Sequence, residues 1–253
     1  MSNLQKDWQD WTPARVGLKR FGHGLSTQQH LAFQADCAAA RDAVWAAWPI
    51  QQTQQAILDE HPNQLMLHLK TLASTRQEYL LRPDLGRQLS PASAELLVGL
   101  ARPDLLIVLS NGLSSLAVQQ HGAKLTSLLL QAFQKETWQI GPVCLVPNAR
   151  VATGDEIGER IGARMVLVLV GERPGLSASD GIGAYLTYSP RIGTTDERRN
   201  CVSNIRPAGL DLEQAVAALL WLIRASFQRQ LSGVQLKFDG TALGETPEKG
   251  LGE

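Results

Sequence analysis

Residues 166–170, with the sequence VLVLV, form an apolar run that ends in the turn-rich segment GERPGL at 171–176. Consecutive apolar side chains are typical of a strand buried on both faces, as in a parallel sheet covered by helices. The glycines and the proline that follow end this strand and place Glu172 directly after it. The stretch therefore predicts the centre of an α/β sheet and one loop of its ligand-binding edge.

Further apolar runs alternate with helix-like segments from residue 104 onward. The expected strands are 105–109, 143–146, 165–170 and 184–188, and the expected helices are 114–135, 154–163 and 211–231. This βαβαβ alternation predicts a Rossmann-like, mostly parallel sheet flanked by helices. Loops at the carboxyl ends of the strands are where such a sheet binds ligands, so the loops at 110–114 and 147–155 are candidates as well.

The preceding part of the chain reads as helical. Residues 26–29, Ser-Thr-Gln-Gln, form a capping box that predicts a helix over 27–48. Its apolar stripe, which includes Leu31 and Trp45, is expected to pack on the body of the protein or on a partner. A second helical stretch is expected at 53–73, broken at Pro62.

Ser90 followed by proline predicts the start of a short helix that runs to about residue 100. The expected organisation is an N-terminal helical subregion at 1–102, a Rossmann-like domain at 103–240 and a flexible C-terminal tail at 241–253.

Composition excludes several classes of function. The 24 basic and 24 acidic residues cancel, so nothing favours binding to nucleic acid or to an anionic membrane. The three cysteines are widely spaced, which fits neither a disulfide framework nor a zinc motif and predicts a reducing compartment. The longest apolar run has nine residues, 215–223, and the N-terminus is polar, so a soluble, unexported protein is expected.

Common catalytic fingerprints are missing. The chain has no GxGxxG, Walker A or GxSxG sequence, and its five histidines form no HxxxH or HxH pair. The turn at Gly112 is compatible either with a purely structural role or with ligand contact through the backbone N–H groups at the start of a helix.

Two side chains near the predicted sheet edge have alternative interpretations. Glu172 could contact a ligand, but it could equally pair with Arg173 or cap the next turn. Cys201 could lie at the same site, although most free cysteines are small buried hydrophobes. The residue chemistry alone leaves both alternatives open.

Several segments, taken in order, resemble the light chain of ethanolamine ammonia-lyase. They are LLRPDLGR at 80–87, SNGLS at 110–114, the region 157–176 that ends in VGERPGL, and CVSNI at 201–205. The resemblance implies a small subunit of an adenosylcobalamin-dependent carbon–nitrogen lyase, which converts ethanolamine to acetaldehyde and ammonia by a radical route. The implied partner is a TIM-barrel large subunit, which provides the main binding site for ethanolamine and completes the cobalamin site at the interface of a hetero-oligomer.

By matching positions, the resemblance places the cobalamin contacts of this chain at Val151, Glu172 and Cys201. It implies no catalytic and no metal-binding residue. The chain lacks the DxHxxG sequence by which other B12 enzymes supply a histidine to cobalt. The dimethylbenzimidazole of the cofactor is therefore expected to stay on cobalt, which is the base-on form. Asn111 stands where the family more often has Asp.

The cysteine pattern predicts a cytoplasmic location, and the family resemblance adds a bacterial microcompartment as an alternative. Two other hypotheses remain beside the lyase subunit. One is a stand-alone Rossmann-like enzyme with a nucleotide cofactor, against which the missing glycine fingerprint argues. The other is a structural partner whose strand-end loops dock another chain.

Overall fold

The computed structural model describes residues 20–238, together with Ala14, Val16 and Leu18. The tail expected at 241–253 lies outside the described residues. In the described part the strands are β1 (Arg20–Phe21), β2 (Gly24–Leu25), β3 (Met66–His68), β4 (Leu105–Ser110), β5 (Ile140–Leu145), β6 (Met165–Gly171), β7 (Ile182–Tyr188) and β8 (Arg199–Ile205).

The helices of the same region flank these strands. They are α1 (Thr27–Trp45), α2 (Ile50–Glu60), α3 (Arg76–Leu81), α4 (Pro91–Glu95), α5 (Ser115–Ala117), α6 (Ala123–Phe133), α7 (Val151–Ile161) and α8 (Leu212–Arg229). One turn of π-helix, Val118–Gly122, joins α5 to α6. No helix in the described region has both the length and the apolar character needed to cross a membrane.

One six-stranded sheet organises the fold, with the order β3-β5-β4-β6-β7-β8. The first four strands are parallel, and β7 and β8 add to the β6 side as antiparallel strands. This confirms the predicted Rossmann-like, mostly parallel α/β sheet. The expected βαβαβ unit is present as β4, β5 and β6 with their connecting helices.

The sheet buries both of its faces, as the continuous apolar strands predicted. Successive side chains of β4 point to opposite sides: Leu105, Ile107 and Leu109 pack with α6 and α8, whereas Leu106 and Val108 pack with α7. All six residues of β4 and all seven of β6 are buried. The two central strands therefore anchor both layers of helices.

The helix expected at 53–73 is wrong in its second half. Helix α2 ends at Glu60, and after the turn at Pro62 the chain forms β3, which pairs in parallel with β5. Three residues are too few to show a strand period in the sequence, so the pairing partner decides the conformation. The N-terminal subregion thus contributes an edge strand to the main sheet.

Two further expectations need correction. The short helix begins at Pro91 with Ser90 as its N-cap, as expected, but it ends at Glu95, and Gly99 downstream has a left-handed φ of 80°. Strand β8 was not expected, because its sequence RNCVSNI is largely polar. It is the edge strand at the opposite end of the sheet from β3, and its residues Cys201, Ser203 and Asn204 are exposed to solvent.

Helix α1 has the predicted capping box at Ser26 but ends at Trp45, and most of its apolar stripe is exposed. Trp48, the last residue of the predicted stripe, follows the helix and packs against the core. Leu31 is 59% exposed and Trp45 is 54% exposed, and Ala43 is the buried residue of the helix. The interpretation of this stripe as a partner surface stays a prediction.

A buried ion pair joins α7 to β8 across one face of the sheet. The Arg199 guanidinium donates to Asp155 Oδ1 at 2.6 Å and to Thr187 Oγ1 at 3.1 Å, and both charged side chains are at most 3% exposed. Burial raises the pKa of the Asp155 carboxyl, and the hydrogen bond from Arg199 opposes that rise. The pair therefore holds the helix that carries Val151 against the strand that carries Cys201.

Removing one member of this pair should destabilise the chain strongly, because the other charge stays buried without compensation. We expect Arg199→Met to lower the free energy of unfolding by about 3–5 kcal/mol, measured by urea denaturation. Adding Asp155→Asn to that variant should recover part of the loss. Arg82→Met is the control, because it breaks the fully exposed Arg82–Asp84 pair and should cost nothing measurable. An equal effect of the two arginine variants would contradict a structural role for the buried pair.

Candidate functional site

The carboxyl ends of β4 and β6 meet in a close contact between two glycines. A Cβ atom on Gly112, whose φ is 48°, would overlap Val170 and the carbonyl oxygen of Gly171. A Cβ on Gly171 would in turn overlap the carbonyl oxygen of Ser114. The Leu113 N–H donates to Gly171 O at 2.8 Å. The turn at Gly112 is thus pinned to the end of β6, directly before Glu172.

An open cavity of about 410 Å³ lies at this edge of the sheet. Its lining comes from the loops after β4, β5 and β6, from β7 and from α3. The lining residues are Tyr79, Leu113, Arg150, Val151, Val170, Gly171, Glu172, Arg173 and Tyr185. Polar and charged groups surround apolar side chains here, which is the usual composition of a ligand site.

Val151 is the first residue of α7, which begins three residues earlier than the sequence suggested. The N-cap residue Arg150 makes no side-chain capping hydrogen bond. Arg150 and Val151 both line the cavity, so the N-terminus of the helix borders it. The loop before it is held from the N-terminal subregion, because Gly86 O accepts hydrogen bonds from Arg150 N and from Thr153 Oγ1, both at 2.7 Å. The position of Val151 thus depends on the segment 80–87 that carries part of the family resemblance.

Glu172 is half-buried and reaches across the sheet edge to β8. Its Oε2 accepts a hydrogen bond from the Asn204 N–H at 3.1 Å. Burial raises the pKa of the Glu172 carboxyl, and the Asn204 bond opposes that rise. The alternative ion pair with the neighbouring Arg173 does not form. Glu172 therefore presents a desolvated carboxyl to the cavity without a cation beside it.

Cys201 lies one side chain away from the cavity. It pairs with Tyr185 in the β7–β8 register, so the two side chains lie next to each other on the same face of the sheet. Cys201 is exposed as a residue, so it is not the buried hydrophobe that its residue type suggested, although local packing raises the pKa of its thiol. The structure thus brings Val151 and Glu172 into one cavity and connects Cys201 to it through Tyr185.

Sequence reasoning missed three residues of this site: Tyr79, Arg150 and Tyr185. Tyr79 is buried, its hydroxyl donates to Ala149 O at 3.3 Å, and the Arg150 guanidinium stacks 4.3 Å from its ring centre. Tyr79 is far in the sequence from the other residues that line the cavity. The packing of α3 onto the loop after β5 brings it next to Arg150. Arg150 could have been noticed, since it precedes Val151 in a loop already selected.

Other kinds of site find little support. Across residues 20–238, no group of three or more His, Cys, Asp or Glu side chains could hold a metal ion. His121 lies 3.3 Å from Asp180, in a contact between the π-helical turn and the loop before β7. The side chains that line the cavity are arginine, glutamate, tyrosine and apolar residues.

Comparison with known proteins agrees with the resemblance seen in the sequence. A family model described as ethanolamine ammonia-lyase light chain (EutC) matches residues 2–237. The ethanolamine ammonia-lyase small subunit of Ralstonia nicotianae is 46% identical over 241 residues, covering 92% of this chain and 88% of that protein. The chain belongs to the ethanolamine ammonia-lyase light chain family. The small subunits of Azotobacter vinelandii and Rhodopseudomonas palustris are each 47% identical, covering 89% and 92% of this chain and 85% and 90% of their own lengths.

Asn111 is buried in the loop after β4. Its Oδ1 accepts from the Asn148 N–H at 2.7 Å, and its Nδ2 donates to Ser115 Oγ at 3.1 Å. Asn148 has a left-handed φ of 57°, so this bond supports a strained turn just before Arg150. An aspartate at this position could keep both contacts as an acceptor, because the Ser115 hydroxyl can rotate to donate to it.

The raised pKa of Glu172 makes a prediction about stability. The charged form is disfavoured in the folded chain, so stability is lost as pH rises through the folded-state pKa. Glu172→Gln keeps an acceptor for Asn204 and should make the chain more stable than the unaltered protein at pH 7. The gain should vanish near pH 4, where the carboxyl is protonated.

Free energies of unfolding at the two pH values would check this prediction. Glu95→Gln, at an exposed glutamate on α4, should show no such pH-dependent gain. A Glu172→Gln chain that is less stable than the unaltered protein at pH 7 would mean that the charge itself stabilises the site.

Proposed function

We propose that this chain is the small subunit of an adenosylcobalamin-dependent ethanolamine ammonia-lyase and that the cavity at Val151 and Glu172 is its part of the cobalamin site. The observation that carries the proposal is that two residues, matched to cobalamin contacts by family resemblance, line one cavity at the sheet edge. Family membership supports the reaction: conversion of ethanolamine to acetaldehyde and ammonia. Adenosylcobalamin would supply radical chemistry through homolysis of its cobalt–carbon bond.

The residues present suit such a ligand. Cobalamin combines a large apolar macrocycle with amide side chains and a single phosphodiester, and the cavity offers Val151 and Leu113 for apolar contact. Glu172 uses one carboxylate oxygen on Asn204 and keeps the other for an amide or hydroxyl donor. Tyr185 adds a half-buried ring, and Cys201 beside it adds a small contact.

The size of the cavity supports a shared site. A volume of about 410 Å³ is within the range that encloses a drug-sized ligand, but cobalamin is several times larger. This chain can therefore cover only part of the cofactor, and a large subunit must cover the rest. In this proposal the large subunit binds ethanolamine. Val151, Glu172 and Cys201 position the cofactor, and none of these three residues transfers a proton.

We infer a base-on cofactor because the chain lacks the DxHxxG sequence. The widely spaced free cysteines favour a cytoplasmic location. Family likeness adds a microcompartment as an alternative location and a hetero-oligomer with the large subunit.

Ammonia release from ethanolamine in the presence of adenosylcobalamin tests the proposal. This chain alone and a cognate large subunit alone should be inactive, and their mixture should be active. An inactive mixture that demonstrably assembles would contradict the lyase function and favour the structural-partner hypothesis. Activity of this chain alone with a nucleotide cofactor would instead favour a stand-alone enzyme.

Glu172→Ala should weaken cobalamin binding by the assembled complex by about 1.5–3 kcal/mol, which is the value of a hydrogen bond to a charged group. Titration of the complex with cyanocobalamin would measure this loss. Glu95→Ala, remote from the cavity, is the matched control and should bind as the unaltered complex does. Unchanged affinity in the Glu172 variant would exclude that contact.

A further inference from the structure

Arg150 carries a guanidinium with an unused donor at the cavity. The side chain stacks on the Tyr79 ring at 4.3 Å, and one terminal nitrogen donates to Tyr79 O at 3.3 Å. Its Nε is buried and has no hydrogen-bond partner. Among the described residues no carboxylate forms an ion pair with Arg150. The buried Nε is itself shielded from a ligand, but the terminal nitrogen Nη1 forms no hydrogen bond with the described residues and is not buried. Because Arg150 lines the cavity, Nη1 is the donor that is left for the acceptor of a ligand.

A second cation lies beside the first. The Arg76 guanidinium is 5.1 Å from the same Tyr79 ring, and its nitrogens donate to three carbonyl oxygens, those of Val44, Gly112 and Leu113. Burial lowers the pKa of Arg76, and the neighbouring charge of Arg150 lowers it further. Arg76 is therefore held in place by the backbone, and its charge is not neutralised by any carboxylate in the described part of the chain.

Two other features add positive potential to this side of the cavity. The N-terminus of the eleven-residue helix α7 borders it at Val151 without a side-chain cap, so the helix dipole is directed toward the cavity. Arg173 also lines the cavity. Glu172 is the carboxylate of the lining, and it forms no ion pair with these arginines. The arrangement fits an anion bound next to Arg150.

The proposed function identifies which anion this is, and the inference rests on that function. Radical chemistry on ethanolamine requires the adenosyl side of cobalamin to face the substrate, which the large subunit holds. The small subunit must then face the opposite side of the corrin, where a base-on cofactor carries its nucleotide loop. The phosphodiester of that loop is the anionic group on this side of the cofactor. Ethanolamine itself is a cation at neutral pH and would be repelled by the two arginines.

We propose that Arg150 binds the phosphodiester of the cobalamin nucleotide loop, with the Tyr79 ring holding the guanidinium in position. A planar guanidinium can donate two parallel hydrogen bonds to phosphate oxygens, which a lysine ammonium cannot match in geometry. Stacking on a buried aromatic ring fixes the side chain before the ligand arrives, so less conformational entropy is lost on binding. Arg150 is thus a cofactor-binding residue and takes no part in the chemistry at ethanolamine.

The test uses the assembled complex of this chain with its large subunit and three probes: cyanocobalamin, cobinamide phosphate and cobinamide. Cobinamide phosphate keeps the phosphate but lacks the ribose and base, and cobinamide lacks all three. Calorimetric titration gives the affinity for each probe without turnover. Arg150→Met should weaken binding of the two phosphate-bearing probes by about tenfold or more and leave the affinity for cobinamide unchanged. Arg150→Lys should retain part of the lost affinity.

The ratio between probes separates a phosphate contact from a loss of structure, because a disturbed fold would weaken all three probes alike. Arg229→Met, an exposed arginine at the end of α8, is the matched control and should affect none of them. Equal losses for all probes, or no loss for any, would overturn the assignment of Arg150. Failure of the unaltered complex to bind cyanocobalamin would overturn the proposed function and the inference together, and so it is distinguishable from failure of Arg150 alone.

Discussion

The site depends on one steric constraint, the contact between the backbones at Gly112 and Gly171. Neither position has room for a Cβ atom, and the hydrogen bond from Leu113 N to Gly171 O closes the contact at 2.8 Å. Because β4 and β6 are buried along their whole length, their ends cannot shift to make room for a side chain. The constraint fixes where the chain leaves β6, and with it the position of Glu172.

Two other connections fix the positions of α7 and β8 relative to the Gly112–Gly171 contact. The Gly86 carbonyl receives the Arg150 N–H and the Thr153 hydroxyl, so the N-terminal subregion holds the start of α7. The buried pair between Arg199 and Asp155 holds the same helix against β8. A helix restrained at its first turn and near its middle presents Val151 at a fixed distance from the sheet. Residues from distant parts of the chain are therefore held together at one surface.

The sequence predicted the parts of the fold that repeat a simple pattern over enough residues. The apolar run of β6 and the alternation around β4 and β5 predicted the parallel sheet with helices on both faces, and the capping box at Ser26 predicted the start of α1. Strand β3 was out of reach because three residues carry no period, and β8 because an edge strand of polar residues resembles a loop. In both cases the neighbouring strand, and not the local sequence, determines the conformation.

The same reasoning explains which site residues were found. Val151, Glu172 and Cys201 came from family likeness, and the strand-end rule independently selected the loops of the first two. Tyr79 could not be found, because its contact with Arg150 joins residues that are far apart in the sequence and depends on how α3 packs. Net charge was also uninformative about this site. It is zero for the whole chain, yet Arg76 and Arg150 meet at Tyr79 without a neutralising carboxylate among the described residues. Where uncompensated charge is held is a property of the fold, and the net charge of a sequence does not show it.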